Sequence, residues 1–143
     1  PRERLALAVN AVAAIRGMLD ITSNYAQERE AFGKPISQFQ HLRFKFAEME
    51  TKYRLNSAFI KECLNLFQIN SLDTGTASMA KLASTEAQCE IADTCLQMFG
   101  GYGYMKEYPI SRAFADARIQ KIYGGTSEIM LELISRDSFS NKS

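Results

Sequence analysis

Two pairs of adjacent glycines, Gly100-Gly101 and Gly124-Gly125, stand where helical patterns stop or start. Glycine adopts positive φ without penalty and lets the backbone pass close to a ligand. Thr126 follows the second pair and can cap the next helix, whose first N–H groups are free to bind a ligand. Two helix C-caps joined by a tight aromatic turn would explain each pair by itself. The two pairs and the cap together also fit a rim that faces a cofactor.

Charged residues mark both ends of the first helical pattern. Glu3 stands in its first turn, where a carboxylate usually stabilises the helix dipole, and it can act as a general base only where a ligand shields it from water. Arg29 stands near its end, where it either complements the helix C-terminus or grips a phosphate beside a flexible loop. On a straight helix the two are about 39 Å apart at ~1.5 Å per residue. If both are functional, they therefore serve two different sites, as in a bundle that shares cofactors between subunits.

The usual catalytic constellations are absent from the sequence. The only histidine is His41, which excludes a Ser-His-Asp triad and a His-rich metal site within this chain and leaves a surface or interface imidazole as its expected role. The three cysteines have no C-x-x-C spacing, so they indicate neither a disulfide framework nor a zinc site, and we expect buried, inert thiols. The Gly-rich run 100–104 follows a helix rather than a strand, so it is no dinucleotide fingerprint.

Helical periodicity predicts every element that must position these residues. Apolar residues recur at spacings of three and four over 2–30, 39–69 and 76–99, and shorter helices are predicted over 109–118 and 126–136. No segment of any length has the period of a strand. The predicted fold class is all-α, an antiparallel up-and-down four-helix bundle with a short extra helix. The first helix is apolar on two faces, so we expect one face to pack in its own bundle and the other against a second subunit.

The bulk properties set limits on class and compartment. A length of 143 residues suffices for one domain with its own core, which we expect over 1–137, followed by a polar tail over 138–143. A net charge of +1 gives no reason to expect nucleic acid or an anionic membrane surface. We find no signal segment and no apolar run of the roughly 20 residues that span a bilayer. The chain starts directly in a helical pattern, so we expect a piece of a longer protein whose upstream domains lie outside this chain. Unpaired cysteines fit a mitochondrial matrix in a eukaryote and a cytoplasm in a bacterium equally.

Four motifs in a fixed order resemble the C-terminal helical domain of the acyl-CoA dehydrogenases, and the resemblance runs from Glu3 to about Arg136. The resemblance implies a flavoenzyme that uses FAD to remove a proton from the α carbon and a hydride from the β carbon of an acyl-CoA thioester. It also implies a homo-oligomer, a tetramer built as a dimer of dimers, that passes electrons to an electron-transferring flavoprotein. The motifs are Gln27–Ile36 with Phe39-Gln40, Gln97–Tyr104 with Glu107-Tyr108-Pro109, Asp116-Ala117-Arg118, and Ile122–Ile129.

The resemblance also implies which residues contact FAD. Arg29 matches the arginine on the FAD pyrophosphate, with Phe32 and Gln40 nearby on the same cofactor. A second stretch matches the backbone that approaches the FAD of the neighbouring subunit, and a third matches the cofactor-contacting start of the last helix. The second stretch is Gln97, Met98, Phe99, Gly100 and Gly101, and the third is Thr126, Ser127 and Glu128.

Gly124 departs from the pattern of many family members, which carry the catalytic glutamate at this position. Glycine cannot accept a proton. In the long-chain and isovaleryl branches, the base resembles a glutamate directly before an arginine at the start of the first helix, and here that pair is Glu3-Arg4. The resemblance therefore implies Glu3 as the base and Arg4 as its orienting neighbour, with Arg4, Tyr123, Gly124 and Gly125 around the substrate. The Gly124 N–H would still bind the thioester carbonyl as an oxyanion-hole donor, and the missing side chain would leave room for long or branched acyl groups.

Two alternatives remain open at this point. An acyl-CoA oxidase would hand its electrons to oxygen instead of a protein acceptor. A family-related bundle that serves only in binding or assembly would explain both the glycine at position 124 and the absence of upstream domains from this chain.

Overall fold

The computed structural model describes residues 1–140, and these are predominantly α-helical. The five α-helices confirm the predicted all-α class. Two features add to the prediction: a two-stranded antiparallel hairpin and two short 3₁₀ segments, all of them too short to show a period in the sequence. The helices are α1 (Arg2–Glu28), α2 (Gln40–Gln68), α3 (Thr74–Phe99), α4 (Pro109–Gln120) and α5 (Ser127–Ser140); the strands are β1 (Glu30–Ala31) and β2 (Lys34–Pro35); the 3₁₀ segments are Ile36–Gln38 and Gly100–Tyr104.

Helix α3 is the centre of the domain and contacts each of the other four α-helices. Its buried face is made largely of small residues, so the neighbouring helices can approach closely. The hydroxyls on this face are satisfied locally: Ser84 donates to the Ala80 carbonyl at 2.7 Å, and Thr85 donates to the Lys81 carbonyl at 2.8 Å. Close packing around α3 therefore leaves these hydroxyls paired.

The hydrophobic core forms two clusters along α1 and α3. Both apolar faces of α1 contribute to burial inside this chain, because Ala11 and Met18 on one face are as buried as Ile15 and Leu19 on the other. A second subunit is therefore not needed to cover these residues. The larger cluster includes Ile15, Leu19, Met49, Ile91, Cys95, Phe99 and Ile110, and the smaller one includes Leu5, Ala8, Val12, Ile60, Cys63 and Ala80.

The buried face of α3 does not coincide with the apolar residues that predict this helix. Met79 and Ala83, which belong to that apolar set, are exposed, whereas Ser84, Thr85 and Gln88 are buried. In a central helix crowded by four neighbours, small side chains occupy the contact face.

Helix ends follow local signals. Asp73 is the N-cap of α3, and its carboxylate accepts the backbone N–H of Thr76 at 2.6 Å. After α1, Phe32 and Gly33 both have positive φ, 53° and 79°, as a two-residue turn between antiparallel strands requires. Helix α5 continues through Ser140, so part of the predicted tail, 138–140, is helical, while 141–143 lie outside the described residues. The domain boundary at 137 stays a prediction.

Helix α1 is long and apolar enough, by length and composition, to cross a membrane, contrary to the expectation that no such run exists. A buried core helix passes the same test. In this structure α1 contacts α2, α3 and α4, and its buried residues belong to both core clusters. The apolar residues of α1 thus contribute to the core of the domain.

Candidate active site and cofactor cleft

The first turn of α1 meets the loop that precedes α5 at one end of the domain. In that loop Gly124 and Gly125 have φ of +66° and +100°, which side chains rarely adopt. A Cβ placed on Gly124 would lie 3.7 Å from Oε1 of Glu3 and would overlap Leu7. The Glu3 carboxylate thus reaches the place where a side chain at 124 would begin. Leu7 and Glu3 occupy the room that the sequence led us to expect beside Gly124.

Lys81 is the residue at this site that sequence reasoning missed. It lies on α3, its side chain is 1% exposed, and its Nζ donates a hydrogen bond to the carbonyl of Gly125. Burial lowers the pKa of Lys81, the Arg4 cation lowers it further, and the Glu3 carboxylate opposes both. A signal was present in the sequence, because Lys81 falls at spacings of three and four in a stripe of small and polar residues. That buried stripe is Ala77, Ala80, Ser84, Thr85 and Gln88.

Arg4 is half-buried beside these groups. Its Nε is buried and has no hydrogen-bond partner among residues 1–140. A buried donor without an acceptor costs free energy unless a ligand or another chain supplies the acceptor. The orphaned donor therefore agrees with a site that is completed by further groups.

The loop before α5 is fastened at both ends by Glu86 of α3. Its carboxylate accepts a hydrogen bond from Ser127 at 2.7 Å and pairs with Lys121 at 2.7 Å. Burial alone would raise the pKa of Glu86, but the hydrogen bonds from Lys121 and Ser127, together with the charges of Lys121 and Arg118, hold the pKa below its usual value. Thr126 caps α5 as predicted, since its Oγ1 accepts the N–H of Ile129 at 3.4 Å.

Other predicted site residues around this loop are exposed. Tyr123 lies in the turn before Gly124, and Glu128 lies in the first turn of α5. His41 is exposed in the first turn of α2, as expected for a surface imidazole. The roles assigned to Tyr123 and Glu128 stay predictions.

A second candidate region is an open cleft of about 580 Å³ at the other end of α1. Arg29 lines it together with the entire stretch 97–101, so the structure joins two groups that the sequence treated separately. The Arg29 guanidinium lies 5.6 Å from the centre of the Tyr102 ring. Tyr25 stacks on Phe99 at 4.1 Å and closes the floor. The full lining is Tyr25, Arg29, Ile36, Gln97, Met98, Phe99, Gly100, Gly101, Tyr102 and Met105.

Phe32 and Gln40 do not line this cleft. Phe32 is 95% exposed at the tip of the hairpin, where it packs edge-on against Phe39 at 6.1 Å, and Gln40 is exposed at the start of α2. Positive φ at an exposed phenylalanine is strained backbone of the kind that collects at binding sites. The contact of both residues with a cofactor stays a prediction.

The cleft has the donor chemistry that a dinucleotide pyrophosphate needs. Arg29 supplies a planar cation, and a Cβ on Gly100 or Gly101 would meet no atom within 4 Å, so this backbone is open to a close ligand. The exposed Tyr102 ring offers a flat aromatic surface. Within residues 1–140 no cluster of three or more His, Cys, Asp or Glu residues could hold a metal ion. The residues present fit FAD at this cleft.

The two regions lie at opposite ends of one helix. Glu3 is in the first turn of α1, and Arg29 follows its last residue. A helix of 27 residues is about 40 Å long at ~1.5 Å per residue. One FAD and its substrate would therefore meet the residues of only one end.

Comparison with known proteins agrees with this geometry. The family model described as "Acyl-CoA dehydrogenase, C-terminal domain" matches residues 1–139. Long-chain specific acyl-CoA dehydrogenase of Mus musculus, a mitochondrial protein, is 47% identical over 99% of this chain and 33% of its own length. The chain thus spans about a third of this curated relative.

Solved structures give the same result. An acyl-CoA dehydrogenase from Geobacillus kaustophilus has a TM-score of 0.94 and 37% identity over 96% of this chain and 36% of that one. A glutaryl-CoA dehydrogenase from Mycobacterium smegmatis in complex with FADH2 has a TM-score of 0.92 and 26% identity over 98% of this chain and 36% of that one. With its fold and residues 1–139 matched, this chain belongs to the acyl-CoA dehydrogenase family and carries the family's C-terminal domain.

Proposed function

We propose that the protein containing this chain is an FAD-dependent acyl-CoA dehydrogenase, and that Glu3 is its catalytic base. The observation that carries the proposal is the 3.7 Å between the Glu3 carboxylate and the position of a Cβ on Gly124. A glutamate at 124 would start from the point that the Glu3 carboxylate already reaches. An acid from α1 can therefore replace an acid from the loop.

In this proposal the residues divide the work of α,β-dehydrogenation. Glu3 takes the α proton of the acyl thioester onto its carboxylate. The N–H of Gly124 holds the thioester carbonyl and stabilises the negative charge that develops on its oxygen as the α proton leaves. Arg4 orients Glu3 and balances its charge, and Tyr123 and Gly125 line the acyl group. FAD, when bound, supplies the acceptor for the hydride that leaves the β carbon.

The cofactor proposal uses both ends of α1. Thr126, Ser127 and Glu128 would face the FAD of the site that holds Glu3. Arg29, Phe32, Gln40 and the stretch 97–101 would face the FAD of a neighbouring subunit, because the cleft lies a helix length away. Each complete site would then need two copies of the chain.

Apolar surface on α2 supports assembly into a homo-oligomer, which we propose to be a tetramer built as a dimer of dimers. Phe44, Leu55 and Phe67 of α2 and Ile69, the residue that follows it, are all exposed in the single chain. Large apolar side chains exposed along one helix give a second subunit apolar surface to bury, whereas a single exposed apolar residue is normal on a protein surface. The charge of +1 and the sequence motifs suggest no role in binding nucleic acid.

The electron acceptor and the compartment follow from the resemblance. We propose an electron-transferring flavoprotein as acceptor, in the mitochondrial matrix of a eukaryote or the cytoplasm of a bacterium. An acyl-CoA oxidase is the alternative. Steady formation of hydrogen peroxide on acyl-CoA, without an added acceptor, would select the oxidase.

The base assignment is tested with Glu3→Gln in the full-length protein. Exchange of the α protons of a bound acyl-CoA with D₂O should be abolished, while the visible flavin spectrum and the FAD content stay as in the wild type. Glu132→Gln is a control, since it changes an exposed glutamate of α5 that pairs with Arg136 outside the proposed site, and it should keep exchange. Exchange at the wild-type rate in Glu3→Gln would refute Glu3 as the base. A colourless full-length protein would instead favour the non-catalytic binding or assembly module.

A further inference from the structure

A buried lysine contacts the loop on which the proposed chemistry depends. We propose that Lys81 is a positioning residue, which holds the carbonyl of Gly125 so that the N–H of Gly124 points at the thioester carbonyl. The proposal rests on the proposed function and adds a residue to it.

The burial of Lys81 needs an explanation. Lysine is almost never fully buried unless it is paired, because removing an ammonium group from water is costly. Its Nζ donates a hydrogen bond to the backbone carbonyl of Gly125, although the Glu3 carboxylate is close enough to affect the pKa of the ammonium group. Because burying this ammonium group costs free energy, its contact with Gly125 indicates that the site requires one particular conformation of residues 124 and 125.

Few contacts fix the centre of the loop, which is Gly124 and Gly125. Two successive glycines have the widest choice of backbone conformations, so ordering them costs more entropy than ordering other residues. Glu86 fastens the flanking Lys121 and Ser127, and the methyl of Met130 would lie 2.6 Å from a Cβ on Gly125. Among the hydrogen bonds of the described residues, the one from Lys81 is the bond that reaches the glycine pair.

The N–H of Gly124 remains available for a ligand. The backbone bonds of this loop run from Ile122 and Tyr123 to Ile119 and from Ser127 to Lys121, and within residues 1–140 none uses the Gly124 N–H. Its direction depends on the rotation of the neighbouring peptide planes. Fixing the Gly125 carbonyl restricts those planes, which places the donor before the substrate arrives.

The charges around Lys81 are few and lie on α1. Glu3 and Arg4 face it from the first turn of that helix, with a carboxylate beside the position of a Gly124 Cβ and a half-buried guanidinium. The ammonium group can thus also compensate the Glu3 carboxylate. The experiment must separate this charge effect from the hydrogen bond to Gly125.

The test compares Lys81→Met and Lys81→Gln in the full-length protein. Methionine keeps the length and removes both donor and charge, whereas glutamine keeps an N–H donor without the charge. For Lys81→Met we expect α-proton exchange in D₂O to fall about 10²–10³-fold, the loss typical of one oxyanion-hole donor, with FAD content and the affinity for an unreactive acyl-CoA analogue retained. Lys81→Gln should recover at least about tenfold of that loss. Lys45→Met, which changes a lysine of α2 that pairs with Glu48 and takes no part in the loop, should exchange close to the wild-type rate.

Three results would overturn the proposal. The first is exchange in Lys81→Met within a few-fold of the wild type. The second is equal loss in Lys81→Met and Lys81→Gln, which assigns the effect to charge. The third is parallel loss of FAD and exchange, which assigns Lys81 a purely structural role. If Lys81→Met does not fold, Lys81→Gln is judged alone against the wild type, and loss of the full ~10²–10³-fold in exchange, or parallel loss of FAD and exchange, would overturn the proposal. Retained exchange in Glu3→Gln is a separate failure, that of the base assignment.

Discussion

Ser127 donates a hydrogen bond from its Oγ to Oε1 of Glu86 at 2.7 Å, joining the first turn of α5 to the middle of α3. Oε2 of the same carboxylate pairs with Lys121 at the end of α4. One side chain therefore connects three helices around the loop that carries Gly124 and Gly125. The conformation of that loop depends on groups that do no chemistry.

The connection through Glu86 predicts a pH dependence of stability. Burial raises its pKa, but the hydrogen bonds from Lys121 and Ser127 and the charges of Lys121 and Arg118 together lower it. A carboxyl with a lowered folded pKa contributes stability above its unfolded pKa, and loses it as the pH falls through the folded pKa. Glu86→Gln should lower the melting temperature at pH 7 and shrink the gap to the wild type below about pH 4. The side chain is partly exposed, so we expect an effect below about 1 kcal/mol. Glu48→Gln, in an exposed pair with Lys45, is the control, and a constant gap across pH 3–7 would contradict the prediction.

Gly103 predicts a link between packing and the cofactor cleft. A Cβ there would lie 2.5 Å from the Leu96 carbonyl oxygen, a backbone atom that cannot rotate away. Gly103→Ala should therefore destabilise the protein by about 1–3 kcal/mol and lower its FAD content, because the adjoining residues line the cleft. Chemical denaturation and the flavin absorbance measure the two effects. The matched control is Gly17→Ala in α1, where a Cβ would meet nothing within 4 Å and which should stabilise by up to about 1 kcal/mol. Equal stabilities of the two variants would contradict the prediction.

The overlap between Leu7 and a side chain at position 124 predicts that substitutions at these two positions are energetically coupled. Gly124→Ala introduces a side chain at a φ of +66° and overlaps Leu7. We expect a cost of about 1–3 kcal/mol from backbone strain, with a loss of α-proton exchange. Leu7→Ala in the same chain should restore part of the stability, since it removes the overlap and leaves the strain. A thermodynamic cycle of the single and double variants measures the coupling; strict additivity would show that Leu7 does not limit this position.

The cysteines predict a pattern of thiol reactivity. Burial raises the pKa of Cys95 to about 11, so its reactive thiolate is scarce at neutral pH. Cys63 is fully buried, and Cys89 is half-buried with its sulfur donating to the Ala117 carbonyl at 3.1 Å. In native protein a thiol reagent should react with Cys89 at most, and in denaturant with all three. Rapid native labelling of Cys95, identified by mass spectrometry, would be inconsistent with its place in the core.

Periodicity was sufficient to predict the long helices and insufficient for the contacts between them. The second helix was predicted over 39–69 and runs over Gln40–Gln68. The last helix was predicted to end at 136 but continues to Ser140, and Asp137 in that added part packs against Gly75 at the start of α3. That contact joins residues far apart in sequence, so no local pattern contains it.

The candidate site, too, could be predicted from the sequence only in part. The resemblance to the family predicted that Glu3 and Gly124 belong to one site. The spacing of Glu3 and Arg29 along the first helix predicted that these two residues serve different sites. Spacing places Lys81 in the stripe of small and polar residues of α3, but spacing alone shows neither that this stripe is buried nor what the ammonium group contacts. The burial of Lys81 and its acceptor on a distant loop are properties of the folded chain.

The unbroken length of α1 has a consequence for how this protein can vary. Inserting one residue near its middle would turn Glu3 by roughly 100° relative to Arg29 and add ~1.5 Å between them. Such a change would face the carboxylate away from the loop while leaving the distant cleft intact. Helix α1 therefore fixes both the separation and the relative orientation of Glu3 and Arg29. Insertions or deletions should be tolerated more readily in the hairpin and turns than within its 27 residues.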